Sequence, residues 1–120
     1  MSDWIREGAP VIVVEQSRGF GFRTPITRRS TITRVTKAKF AVDGINDLFS
    51  QVHHRTRKES PYWEAFPADS DKAARYLAEY ERKSAVDAAE MAAHRWSREH
   101  TPENRLVLME ALAKLEKWGL

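Results

Sequence analysis

The chain has 120 residues, with twenty Lys/Arg against seventeen Asp/Glu, a formal charge of +3, and no cysteine. That length suits one domain, or one compact domain with a helical appendage, and folding should bury roughly two-thirds of the extended surface. The lack of thiols excludes a disulfide framework, a zinc–thiolate site and thiol catalysis, and leaves the chain indifferent to redox compartment. The opening MSDWIREGAP has neither a basic leader with an apolar run nor a small-residue cleavage site. No stretch approaches the ~18 apolar residues of a spanning helix, so the expectation is a cytoplasmic protein without a membrane partner.

In chain order, PVIVVE (residues 10–15) is a compact β-branched run that predicts a first strand. STITRVT (30–36) predicts a second, and AKFAV (38–42) a third with Ala38, Phe40 and Val42 on one face. The TKAK link between them is short enough for a hairpin. Ile32 and Val35 stand three apart, not two, which predicts a bulge or bend in the second strand, as where a short sheet curls on itself. Asp43-Gly44 is a turn signal leading to a fourth strand around NDLFSQ. YWEAF (62–66) is either a closing fifth strand or an irregular clamp under the helix that follows. The barrel is expected to begin at Gly8 and to have Val11, Val13, Ile32, Val35, Phe40, Val42, Leu48 and Phe49 as its core.

Beyond Pro67 the period changes. ADSD supplies Asp69 or Ser70 as N-cap and Asp71 in the first turn, where a carboxylate meets the positive end of the helix dipole. Ala73, Leu77, Tyr80, Ser84, Ala88, Met91 and Trp96 then recur at helical spacing, predicting one helix of about 28 residues that ends near Arg98. SREHTPEN interrupts it. Thr101 as N-cap and Pro102 at the first helical position open a second helix, with Leu108, Ala111, Leu112, Leu115 and Trp118 as its stripe and Gly119 as its stop. The two should form an antiparallel hairpin with Leu77, Tyr80, Met91, Leu108, Leu112 and Leu115 in its core. The fold class is therefore α+β: a small antiparallel β-barrel, SH3-like or OB-like, in residues 1–67, followed by a C-terminal α-helical hairpin in residues 68–120.

Charge divides the same way. Residues 1–67 hold eleven Lys/Arg against seven Asp/Glu, and residues 68–120 nine against ten. Residues 16–40 carry Arg18, Arg23, Arg28, Arg29, Arg34, Lys37 and Lys39 without one acid, and HHRTRK (53–58) adds a second basic run. Such clusters either meet phosphate or protect strand edges in solvent. Phe20 and Phe22, two apart, face one side of a strand, as core or as a base-stacking platform flanked by Arg18 and Arg23. These residues together form the candidate nucleic-acid-binding surface: Arg18, Phe20, Phe22, Arg23, Arg28, Arg29, Arg34, Lys37 and Lys39.

No catalytic residue is assigned. RGFGF lacks the Lys-Ser/Thr ending of a phosphate-binding loop, no Ser has the Gly-flanked setting of a nucleophile, and Asp43, Asp47 and Glu64 lack the spacing of a metal-dependent nuclease. His53 and His54 are adjacent and point apart, and a helix break separates His94 from His100, so no metal and no cofactor is expected. The unequal lengths of the two helices leave an uncovered turn or two near Tyr80, Trp96 and Trp118. These are assigned to a protein interface, serving a homodimer through the C-terminal helices or a host protein.

Two resemblances bear on these readings. GAPVIVVEQSRGFGFRTP (8–25) is similar to the strand-loop-strand opening of cold-shock domains, and its RGFGF (18–22) matches the start of the ribonucleoprotein motif. Where cold-shock domains place a base-stacking Trp and Phe on the first strand, this chain has Val11, Ile12, Val13 and Val14. Over residues 8–85, TITRVTKAKFAV and YWEAFPADSDKAARYLAEYERK resemble a group of small actinobacterial and phage proteins that pair an SH3-like barrel with a helical tail. The second likeness implies that architecture and a phage or mobile-element origin, and implies no activity. The functional expectations are a non-enzymatic accessory protein whose basic barrel binds nucleic acid, or an interaction or inhibitor module that docks on a host protein through its helical arm.

Overall fold

Strand β1, Pro10–Gln16, is β-branched on both faces, and the fold uses both. In the computed structural model, which describes residues 2–17, 25–59 and 61–120, β1 lies between β2 (Thr27–Val35) and the last strand, Tyr62–Pro67, antiparallel to each. β3 (Lys39–Val42) and the two-residue β4 (Phe49–Ser50) follow β2, and with Tyr62–Pro67 as β5 the order is β4-β3-β2-β1-β5. The strands run as an antiparallel meander whose last member returns to pair with the first. The first half of β2 pairs with β1 and the second half with β3. Between them Ile32 opposes Val42 and Val35 opposes Phe40, so Thr33 and Arg34 together oppose Ala41. This is the bulge that the Ile32–Val35 spacing predicts, and it bends the strand.

Closure follows β4. His54, at a left-handed φ of 60°, turns the chain back, and Arg55 and Thr56 run between β4 and β5. Ser50 N–H donates to the Arg55 carbonyl at 3.0 Å, Thr56 N–H to that of Trp63 at 2.9 Å and Ala65 N–H to that of His54 at 2.8 Å. YWEAF is therefore the closing strand, and the five-stranded barrel is nearly closed.

Inside, Phe40 and Phe49 stack at 5.2 Å between ring centroids, and Trp4 meets Phe40 edge-on at 5.9 Å. Trp4 and the buried Ile5 fill the end of the barrel where β3 begins, so the core starts before Gly8, earlier than expected. The Gly8 N–H donates to the Ile32 carbonyl at 2.7 Å and the Ile32 N–H to that of Ala9 at 3.0 Å, which ties this segment to β2. Leu48, expected in the core, is 40 % exposed. β4 begins only at Phe49, which takes the inward position that its neighbour along the chain therefore cannot share.

On the outer side of β1, Ile12 and Val14 join Phe66 and Ala73 in a second core. Ala73 lies in the first turn of α1 (Asp71–Arg98), whose N-cap is Ser70: its Oγ accepts from Ala73 N–H at 3.2 Å. Tyr76 stacks on Phe66 at 5.4 Å and accepts a hydrogen bond from Gln16 Nε2 at 3.1 Å. The chain forms two compact units, Met1–Ala78 and Glu79–Leu120, so the first two turns of α1 belong with the barrel.

In the second unit the rest of α1 contacts α2 (Pro102–Leu115) through buried Ala89, Ala92 and Ala111, with Leu108 and Leu115 packed against them. Thr101 caps α2, accepting from Asn104 N–H at 3.1 Å, and a 3₁₀ turn, Glu116–Trp118, ends at Gly119 with φ 73°. Met91 and Leu112, expected in the hairpin core, are 60 % and 50 % exposed. The alanines at 92 and 111 make the contact because small side chains allow close approach, and a helical neighbour one position along points about 100° away.

Phe49→Ala should lower unfolding free energy by about 3–5 kcal/mol and Leu48→Ala by less than about 1 kcal/mol. Urea titration of the two variants checks this; equal losses would contradict the burial that distinguishes the adjacent residues.

Candidate nucleic-acid interface

Strand register decides where each cation of the basic run points. Across the β1–β2 ladder the interior Val13 faces Arg28, whereas Ile12, on the outer side, faces Arg29. Opposed residues share a face of the sheet, so Arg28 turns toward the barrel and Arg29 outward. Without the bulge, Arg34 would share the inward face of Ile32. With it, Arg34 opposes Ala41 and is outward again. Lys39, opposite Ser50, lies on that same outer face, and Arg34 and Lys39 are diagonal neighbours roughly 7–8 Å apart.

Lys37 stands in the β2–β3 turn. Thr36 holds that turn, its N–H donating to the Lys39 carbonyl at 2.8 Å and its Oγ1 accepting from Lys39 N–H at 3.1 Å. Gln51 Nε2 adds a bond to the Thr36 carbonyl at 2.7 Å. Arg29, Thr31, Thr33, Arg34, Lys37 and Lys39 are all exposed. Among the described residues, Arg34, Lys37 and Lys39 have no carboxylate partner.

Arg28 belongs to a different site, the barrel end where β3 finishes and β5 begins. Its guanidinium lies over Trp63, 5.3 Å from the ring centroid, and that of Arg55 lies 5.5 Å from Tyr62. Arg57 pairs with Asp47 at 3.0 Å, both about half exposed, a geometry that contributes little stability. Open clefts of about 430 Å³ and 170 Å³ flank Trp63. In the sequence YWEAF reads only as a strand or a clamp; its alternation sets Trp63 and Ala65 on one face, but it is the register, with Trp63 opposite Glu15, that places the ring at this end.

Arg18, Phe20, Phe22 and Arg23, with the ribonucleoprotein-like motif, lie outside the described residues. Of the nine residues assigned to the surface from sequence, the fold therefore brings Arg29, Arg34, Lys37 and Lys39 together and separates Arg28 from them. In the second unit, Trp96 is 36 % exposed and packs on His100 at 4.5 Å, while Tyr80 and Trp118 are half-buried. Tyr80 and Trp96 are about 24 Å apart along α1, so these aromatics do not form one cluster.

Among the described residues no group of three or more His, Asp or Glu side chains is placed to hold a metal ion, and no helix is long and apolar enough to cross a membrane. Compared with protein-family models, curated proteins and solved structures, the chain matches none.

His54, in the HHRTRK run, is packed edge-on against Trp4 at 4.9 Å, with Ser2 Oγ 3.2 Å from its Nε2. Burial lowers its pKa below the ordinary 6.5; a hydrogen bond to the Gln51 backbone and the charge of Glu64 oppose the shift, and His53 adds to it. The unfolded chain thus takes up the proton first. The contribution of neutral His54 is intact above pH 6.5 and is lost as pH falls from there through the lower folded value. His54→Asn keeps a residue at ease with the left-handed backbone and removes the titration. Urea midpoints measured on either side of pH 6.5 should differ less in this variant than in the parent; an identical pH dependence would contradict the assignment.

Proposed function

We propose that the barrel is a nucleic-acid-binding module that contacts phosphate through the outer face of β2 and β3. The carrying observation is that Arg29, Arg34 and Lys39 share this face with Lys37 beyond its edge, the last three without carboxylate partners among the described residues. Cations of this kind gain by releasing the counterions condensed on a polyphosphate. Thr31 and Thr33, exposed between them, add hydroxyls of the sort that bond phosphate oxygens. Among the described residues the face carries no aromatic side chain, so its cations and hydroxyls grip the phosphate backbone and supply no base-stacking platform.

Four phosphate contacts give a logarithmic salt slope of about −3.6 on duplex DNA and about −2.8 on a single strand. Arg34→Ala combined with Lys39→Ala should halve that slope and leave unfolding free energy within about 0.5 kcal/mol of the parent. Fluorescence anisotropy with duplex and single-stranded DNA and with RNA, over a salt series, reads both effects. Absence of binding to all three at low salt by folded protein, or a slope indifferent to the double substitution, would sink the reading.

A further inference from the structure

Helix α2 carries more apolar surface than its contact with α1 uses. Toward α1 it presents Leu108, Ala111 and Leu115. A second stripe, Leu106, Met109 and Leu112, lies about 130° further round the helix at 100° per residue, and its members are 57 %, 56 % and 50 % exposed. Seven of the ten exposed large apolar side chains among the described residues fall in Glu79–Leu120, which marks this unit and not the barrel as the one with a missing partner. A helix apolar on two faces is built to lie between two partners. Beside the stripe, Trp96, His100, Pro102 and Arg105 complete a groove of about 610 Å³.

We propose that a second copy of this chain covers the stripe, its α2 packed antiparallel about a two-fold axis midway between Met109 and Leu112. Arg105 stands one helical turn before Met109 and Glu116 one turn after Leu112, and both are exposed. Neither has an ion-pair partner among the described residues. One axis therefore serves both pairs: it sets Met109 of each copy on Leu112 of the other and Arg105 of each copy on Glu116 of the other. That self-complementarity is what an isologous interface requires, and it selects a second copy over a foreign partner. Residues 79–120 hold seven Lys/Arg against eight Asp/Glu, so two hairpins meet without net repulsion, whereas residues 1–78 hold thirteen against nine. The inference is independent of the nucleic-acid reading.

Sedimentation equilibrium of the full chain across a dilution series tests it. The expected mass is twice 13.8 kDa. Arg105→Glu and Glu116→Arg should each raise the dimer dissociation constant about ten-fold or more, and the two together in one chain should restore the parent value, because the exchanged charges still oppose. Both reversals suit the helix dipole better than the native residues, so loss of mass cannot be ascribed to fraying of α2; circular dichroism confirms this. Met109→Asp should leave only monomer. A monomer at every concentration, even one that captures another protein, would overturn the proposal. So would a dimer indifferent to the single reversals, or a double reversal as weak as either single one.

Discussion

Val11 and Val13 point into the barrel while Ile12 and Val14 meet the first turn of α1, and all four are at most 1 % exposed. Each such side chain contributes about 1.5–3 kcal/mol on burial, so a strand used on both faces anchors two cores at once. The barrel cannot present β1 to water, and the start of α1 cannot leave without uncovering Ile12, Val14 and Phe66. This is why the compact unit runs to Ala78, past the last strand and two turns into the helix. The same arrangement leaves a gap. The first two turns of α1 pack on Ile12, Val14 and Phe66 at the outer side of β1 and β5, and the outer side of β2 and β3 remains in solvent, occupied by cations and threonines.

Much of this was legible in the chain, wherever a local rule decided the outcome. Ser70 and Thr101 cap their helices because their hydroxyls reach N–H groups three residues on, and Gly119 ends the chain's helical part because φ 73° costs it nothing. The bulge in β2 was visible as one broken alternation. What remained hidden depends on partners far away in sequence. Trp4 and Ile5 look like a polar terminus until Phe40 and His54 close over them. Leu48, Met91 and Leu112 satisfy the apolar pattern as well as their neighbours do, but Phe49, Ala92 and Ala111 occupy the contacts. Hydropathy cannot tell a leucine from the alanine beside it that lets two helices approach.

The basic run shows the same limit in its charges. Arg28 and Arg29 are indistinguishable by composition, yet period-two alternation sends one over Trp63 and the other to the outer face. Arg34 joins Arg29 only because the bulge adds a residue between Ile32 and Val35. A charge run is thus divided by backbone geometry into separate sites, and the larger group is the one on β2 and β3. Its cations hold one face because the strands beneath them are fixed by an apolar interior, so their electrostatic reach rests on packing they do not share.

Backbone amide shifts of the isotope-labelled protein, followed while a DNA duplex is added, report whether the outer face of β2 and β3 is the phosphate contact. Perturbation is expected at Arg29, Thr31, Arg34, Lys37 and Lys39, fading as salt is raised, with the amides of α2 unmoved. Perturbation confined to Arg57 and Trp63 at the barrel end, or to α2, or no perturbation at all, would contradict it.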